Sequence, residues 1–129
     1  MTDMGFRNRR DAGRQLGTAL ASYRDRNPLV VGLPRGGVVV AAEVAAALEA
    51  DLDILVVRKL GAPGQPELGL GAIAEGGVLQ LNKPLRRQVR VTREQLQSTI
   101  DAENDELKRR LETYRGDREP IDVTDRLVI

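Results

Sequence analysis

Apolar residues recur along this chain with two periods, and the changes between them lay out an alternating order of helices and strands. Ala12, Leu16, Ala19, Leu20 and Tyr23 return at the spacing of one helix face. Asn8 stands where an N-cap belongs, Asp11 falls in the first turn, and Asn27-Pro28 ends the segment. Leu29 to Leu33 is a short apolar run bounded by prolines, the pattern of a strand buried on both faces. Val38 to Ala50 is apolar almost all round and rich in Ala, which suits a helix packed closely on a sheet. Asp53 to Val57 repeats the buried-strand pattern. Strand, tight turn, helix and strand within about 30 residues predict a βαβ unit with a parallel strand pair.

The pattern then changes. Gly61 to Gly71 is rich in Gly and Pro and reads as a flexible loop. Ala72 to Asn82 predicts two short strands around Gly76-Gly77, a hairpin signal. Thr92 and Gln95 form a capping box that opens a long helix, and Gly116 is its stop. Leu96, Ile100, Leu107, Leu111 and Tyr114 make a narrow apolar stripe on that helix. Packing within the domain is the default for the stripe; pairing with a second copy, giving a homo-oligomer, is the alternative. Arg126 to Ile129 begins another buried strand. The fold class expected is α/β, a parallel sheet with flanking helices and a hairpin insertion, in one domain over residues 1–129.

Composition narrows the chemistry. The chain has neither cysteine nor histidine, which removes disulfides, thiol nucleophiles, the usual zinc sites and any Ser-His or Cys-His pair. No resident metal site is expected. Seventeen Arg and three Lys are balanced to a net charge of +1, and one Phe and two Tyr offer no stacking platform, so nucleic acid is not an expected partner. The first ten residues lack the apolar core of a signal peptide, and no apolar run is long enough to cross a bilayer. A cytoplasmic protein is expected.

Two places carry candidate chemistry. Leu33-Pro-Arg-Gly-Gly37 joins the first strand to the following helix. Glycines there let a ligand approach the backbone, the helix aims its free N–H groups at the turn, and Arg35 adds a planar fork for phosphate oxygens. A plain βα turn would also use glycine. Arg58-Lys59 follows the second strand, and ligands of parallel sheets bind at C-terminal strand ends. Together Arg35, Gly36, Gly37, Arg58 and Lys59 predict an anion site.

The ordered set Phe6-Arg-x-Arg-Arg-Asp-Ala-Gly13, Leu33-Pro-Arg-Gly-Gly37, Val57-Arg-Lys-Leu-Gly61, Pro66-Glu-Leu-Gly69 and Ala72-Ile-Ala-Glu-Gly-Gly77 resembles the predicted phosphoribosyltransferases of bacteria, which are type I-like. The resemblance implies a Rossmann-like phosphoribosyltransferase fold. Its partners would be phosphoribosyl pyrophosphate (PRPP), bound with Mg²⁺, and an acceptor base. Pro34 to Gly37 would then be the pyrophosphate loop, with a non-proline cis peptide near Arg35. Arg58 and Lys59 would face the pyrophosphate. Gly61 to Asn82 would close over the site, carrying Glu75 either to substrate or, as the commoner role, into solvent. Such families continue from a strand like Leu127-Val-Ile129 into an acidic pair, Gly and Thr-Gly-x-Thr. The resemblance therefore implies an N-terminal portion, inactive alone; a non-catalytic sensor of PRPP or a nucleotide is the alternative.

Overall fold

Asn8 caps the first helix as its position predicts: its side-chain oxygen accepts from the Asp11 N–H at 2.8 Å. The computed structural model describes residues 5–129. In it the chain divides into two compact units, one formed by the described residues up to Leu55 with Arg118–Ile129, the other by Val56–Asp117.

The first unit is the expected βαβ. Helix α1 (Arg9–Ala19) runs into a short 3₁₀ turn (Ala21–Arg26). Asn27, in the left-handed conformation, ends that turn. Strand β1 (Leu29–Gly32), helix α2 (Gly36–Leu48) and strand β2 (Asp51–Ile54) follow, and β1 and β2 pair in parallel from Leu29–Asp51 to Gly32–Ile54. The chain's final residues lie on the other side of β1. The N–H of Leu29 donates to Leu127 at 2.8 Å, that of Ile129 to Leu29 at 2.9 Å, and that of Val31 to Ile129 at 2.8 Å. Arg126 secures this third position: its guanidinium donates to the carbonyls of Asn27 and Pro28, each at 3.2 Å, and pairs with Asp51 at 3.2 Å. Asp53 helps by accepting from the Ile121 N–H at 3.0 Å.

The core of this unit is aliphatic, as the scarcity of aromatics requires. Val30, Ala41, Val44, Ala45 and Leu48 form it, with Leu20, Ala50 and Ile129 packed around them. α1 lies against α2 at very short range. A Cβ at Gly17 would stand 2.7 Å from the Cβ of Ala47, and one at Gly13 would stand 2.6 Å from that of Glu43. Two glycines one turn apart let the helix surfaces meet where a methyl would not fit.

The second unit is an antiparallel sheet with helices. Strands β3 (Val57–Ala62), β4 (Gln65–Ala74) and β5 (Val78–Leu81) stand in that order, followed by helices α3 (Lys83–Gln88) and α4 (Arg93–Arg115). The hairpin at Gly76-Gly77 is where the sequence places it, both glycines having positive φ. Gly61 to Gly71, expected to be a flexible loop, is instead mostly ladder. Two of its glycines serve close approach: a Cβ at Gly71 would lie 2.0 Å from the Gln80 carbonyl oxygen, and one at Gly61 would lie 2.5 Å from that of Pro66. The register shifts on either side of Gly61, the mark of a bulge. The capping box of α4 forms as expected, with Thr92 and Gln95 exchanging hydrogen bonds at 3.0 and 3.1 Å. α4 packs on β3 and β4, burying Leu96 and Leu107, so the stripe has its partner within the unit.

Candidate anion-binding site

β1 delivers the chain to the turn Leu33-Pro34-Arg35, and α2 starts at once with Gly36-Gly37. The peptide bond between Pro34 and Arg35 is cis, as the resemblance leads one to expect. Arg35 is the N-cap residue of α2, yet no side chain caps the helix. The Val38 N–H turns back to the Arg35 carbonyl at 3.1 Å. The first turn of α2 therefore keeps donors without a side-chain acceptor, and the positive end of its dipole faces the turn. Arg35 is exposed and makes no ion pair among the described residues. An anion seated here would gain roughly 0.3–1 kcal/mol from the helix terminus, with Arg35 adding charge-assisted hydrogen bonds.

The two glycines answer different needs. A Cβ at Gly36 would stand 2.6 Å from Nε and 3.0 Å from Cζ of Arg9, whose guanidinium lies across that backbone. A Cβ at Gly37 would meet nothing nearer than the Cβ of Leu33 at 3.5 Å, an ordinary contact, and φ there is not positive. Neither packing nor backbone conformation within the described chain demands glycine at 37. Beside the turn lies a groove of about 310 Å³ lined only by aliphatic side chains and glycine, from Leu33 and Gly37 to Leu16, Val44 and Ile129. Polar donors at the turn thus adjoin an apolar wall.

The remaining predicted residues are placed otherwise. Arg58 and Lys59 are expected from sequence in a loop at the C-terminal edge of the parallel sheet. The apolar run that suggests one strand from Asp53 to Val57 is divided: β2 ends at Ile54, and Arg58 and Lys59 stand inside β3 of the antiparallel sheet. They therefore belong to the second unit and Arg35 to the first. Pleating sends their side chains to opposite faces. Arg58 is half-buried, its Nε 2.7 Å from Glu103 of α4, while Lys59 is exposed. Glu75, whose commoner role would be a solvated charge, is largely buried at the hairpin and held by both terminal nitrogens of Arg115.

Arg9 belongs to the Phe6–Gly13 motif but not to the predicted anion site, and the structure brings it to the turn. A signal for it exists. Arg9 and Arg10 occupy the first turn of α1, where a cation opposes the helix dipole, and Asp11 beside them is not their partner. Its carboxylate accepts from the Arg7 N–H and the Gln15 amide, each at 3.1 Å. The Arg7 hydrogen bond, foremost, holds its pKa below the ordinary carboxylate value. Among the described residues no group of three or more His, Cys, Asp or Glu is placed to hold a metal ion. No helix among them is long and apolar enough to cross a membrane.

Fold and site together define a mixed α/β protein with a basic, glycine-bearing turn at the C-terminal end of a parallel strand. No family model matches the chain. It is similar to two Mycobacterium tuberculosis proteins, from different strains, each named "Putative phosphoribosyl transferase": 47% identity over 124 residues, 96% of this chain. It is also similar to a Thermus thermophilus protein of known crystal structure, with a TM-score of 0.81, 46% identity and 97% of this chain covered. The chain spans 28% of the length of the two M. tuberculosis relatives and 59% of the T. thermophilus chain.

Proposed function

We propose that this chain carries the diphosphate-binding turn of a type I-like phosphoribosyltransferase, a protein that moves the phosphoribosyl group of PRPP to a nitrogenous acceptor. The reading rests on the similarity, over 96% of the chain, to proteins named for that activity. The uncapped start of α2, the exposed Arg35 and the open space at Gly37 support it, since each suits an oxyanion.

In this reading the diphosphate oxygens accept from N–H groups in the first turn of α2 and from the Arg35 guanidinium. Arg58, paired with Glu103 within the second unit, has a structural task. The acceptor nitrogen bonds to the anomeric carbon while the bond from that carbon to the diphosphate oxygen breaks, and the diphosphate leaves with the electron pair. Donors aimed at that oxygen favour departure because they stabilise the charge as it develops. Mg²⁺ enters with the diphosphate as part of the substrate. The turn offers guanidinium and N–H donors and no carboxylate, so it fits phosphate oxygens, not a bare metal ion.

One feature favours a second reading, a sensor that binds PRPP without turnover: residues 33–37 include no side chain able to accept a proton at neutral pH. Calorimetric titration of the chain with Mg²⁺-PRPP tests both readings. Saturable binding that weakens about ten-fold in Arg35→Ala is expected. Diphosphate release on adding an acceptor base identifies the enzyme. A wild-type chain that does not bind PRPP would remove the reading.

A further inference from the structure

We infer that Arg9, at the start of α1, is a second guanidinium of the diphosphate site, and that Gly36 is glycine to admit it. This inference rests on the function proposed above, because it assigns Arg9 to the same anion.

Nε, Cζ and Nη2 of Arg9 lie 2.6, 3.0 and 3.1 Å from where a Cβ of residue 36 would stand. The guanidinium thus occupies the space that every residue but glycine would fill, directly over the first residue of α2. Glycine in a helix is less stable than alanine by roughly 0.5–1 kcal/mol, so this placement opposes local helix stability. Arg9 is solvent-exposed, and its guanidinium lies at the positive start of α2, where the helix dipole does not favour a cation.

No carboxylate among the described residues relieves it. Arg9 makes no ion pair or side-chain hydrogen bond among the described residues, and the neighbouring Asp11 is turned toward Arg7 and Gln15. A cation over the start of α2, with no counter-charge among the described residues, is stabilised by an anion that it shares with the N–H groups of that helix. Arg9, Arg35 and the N–H groups of α2 supply such a set from one unit of the chain. Two forks suit a ligand with two phosphoryl groups better than one inorganic phosphate, because each guanidinium can take oxygens of a different phosphorus.

The test is calorimetric titration of the full chain with inorganic pyrophosphate and, separately, with inorganic phosphate, at low salt. Wild type, Arg9→Ala, Arg9→Lys, Gly36→Ala and the double variant R9A/G36A are compared, with thermal melts as the check on folding. Arg9→Ala should weaken pyrophosphate binding roughly ten-fold or more, weaken phosphate binding less, and leave the melt unchanged. Arg9→Lys should recover part of the loss, charge without the fork. Gly36→Ala displaces only the end of a flexible side chain, so it should weaken pyrophosphate in wild type and do little further in R9A. Pyrophosphate binding that is intact in Arg9→Ala overturns the inference and leaves the turn as the site. A wild-type chain that binds PRPP but loses nothing in Arg9→Lys or Arg9→Ala overturns it in the same way. A wild-type chain that binds neither PRPP nor pyrophosphate overturns the inference and the proposed function beneath it together.

Discussion

Arg115, in the last turn of α4, grips Glu75 at the tip of the β4–β5 hairpin through both terminal nitrogens, one of them at 3.0 Å from Oε1. The two residues are 40 positions apart, and the Arg115 side chain is only 7% exposed. Removing one partner leaves the other charge in a largely dry place, which costs more than the pair itself contributes. Arg115→Ala should therefore destabilise the chain by about 2–4 kcal/mol. Urea denaturation of R115A, E75A and the double variant measures it, and the double should be less damaged than the sum of the singles.

Gly13 and Gly17 run against the propensity rule. Alanine is the better helix former by about 1 kcal/mol, so a helix considered alone would gain from the change. Here the added methyl would meet Cβ atoms at 2.6 and 2.7 Å, and α2 behind them is packed on the core. G13A and G17A should each lower stability by roughly 1–3 kcal/mol, seen as a fall in melting temperature. A rise would mean that the helix pair separates freely.

At Gly37 the expectation is the reverse. A methyl there meets only Leu33 at 3.5 Å, so Gly37→Ala should leave the melt unchanged or slightly raised. Gly37 lies in the first turn of α2, so the added methyl should narrow an anion's approach to that turn, and pyrophosphate affinity should fall several-fold. Calorimetry on the well-folded variant separates the two effects.

Glu106 gives a prediction in pH. Hydrogen bonds from Arg109 and then Arg110 push its carboxyl down to about 2 from the ordinary 4.5. A lowered folded-state pKa means that this contribution is complete above the unfolded value and is lost as pH falls from 4.5 through about 2. The side chains concerned lie at the surface, partly to largely exposed, so the energy is small and screened by salt. An NMR titration should find the Glu106 midpoint near 2, moving upward in about 1 M salt.

What is legible in the sequence is mostly local. The caps at Asn8 and Thr92 form as their positions predict, because capping depends on a side chain and donors within four residues of it. The βαβ order and the turn at Arg35 are legible for a similar reason, since an apolar run and a glycine pair mark their own boundaries. The failures lie where a distant partner decides. Gly61 and Gly71 look like loop residues until Pro66 and Gln80 are seen pressed against their backbones. Arg58 and Lys59 look like strand-end cations until pairing with Ile73 and Ala72 shows them to be mid-strand. Glu75 and Arg115 have no sequence signature as a pair at all. Arg9 is legible in part, as a cation at the wrong end of a helix.

The pairing of β1 with residues 127–129 also governs the order in which the chain can assemble. Val56–Asp117 is one uninterrupted stretch, so the second unit holds all of its own contacts once Asp117 has left the ribosome. The first unit has no such independence. β1 must wait, with one edge paired to β2 and the other bare, through the synthesis of the whole second unit, until Leu127 and Ile129 arrive to cover it. Such closure over a long intervening stretch is slow by its topology. During translation that edge of β1 is an exposed template, open to a holding chaperone or a neighbouring nascent chain.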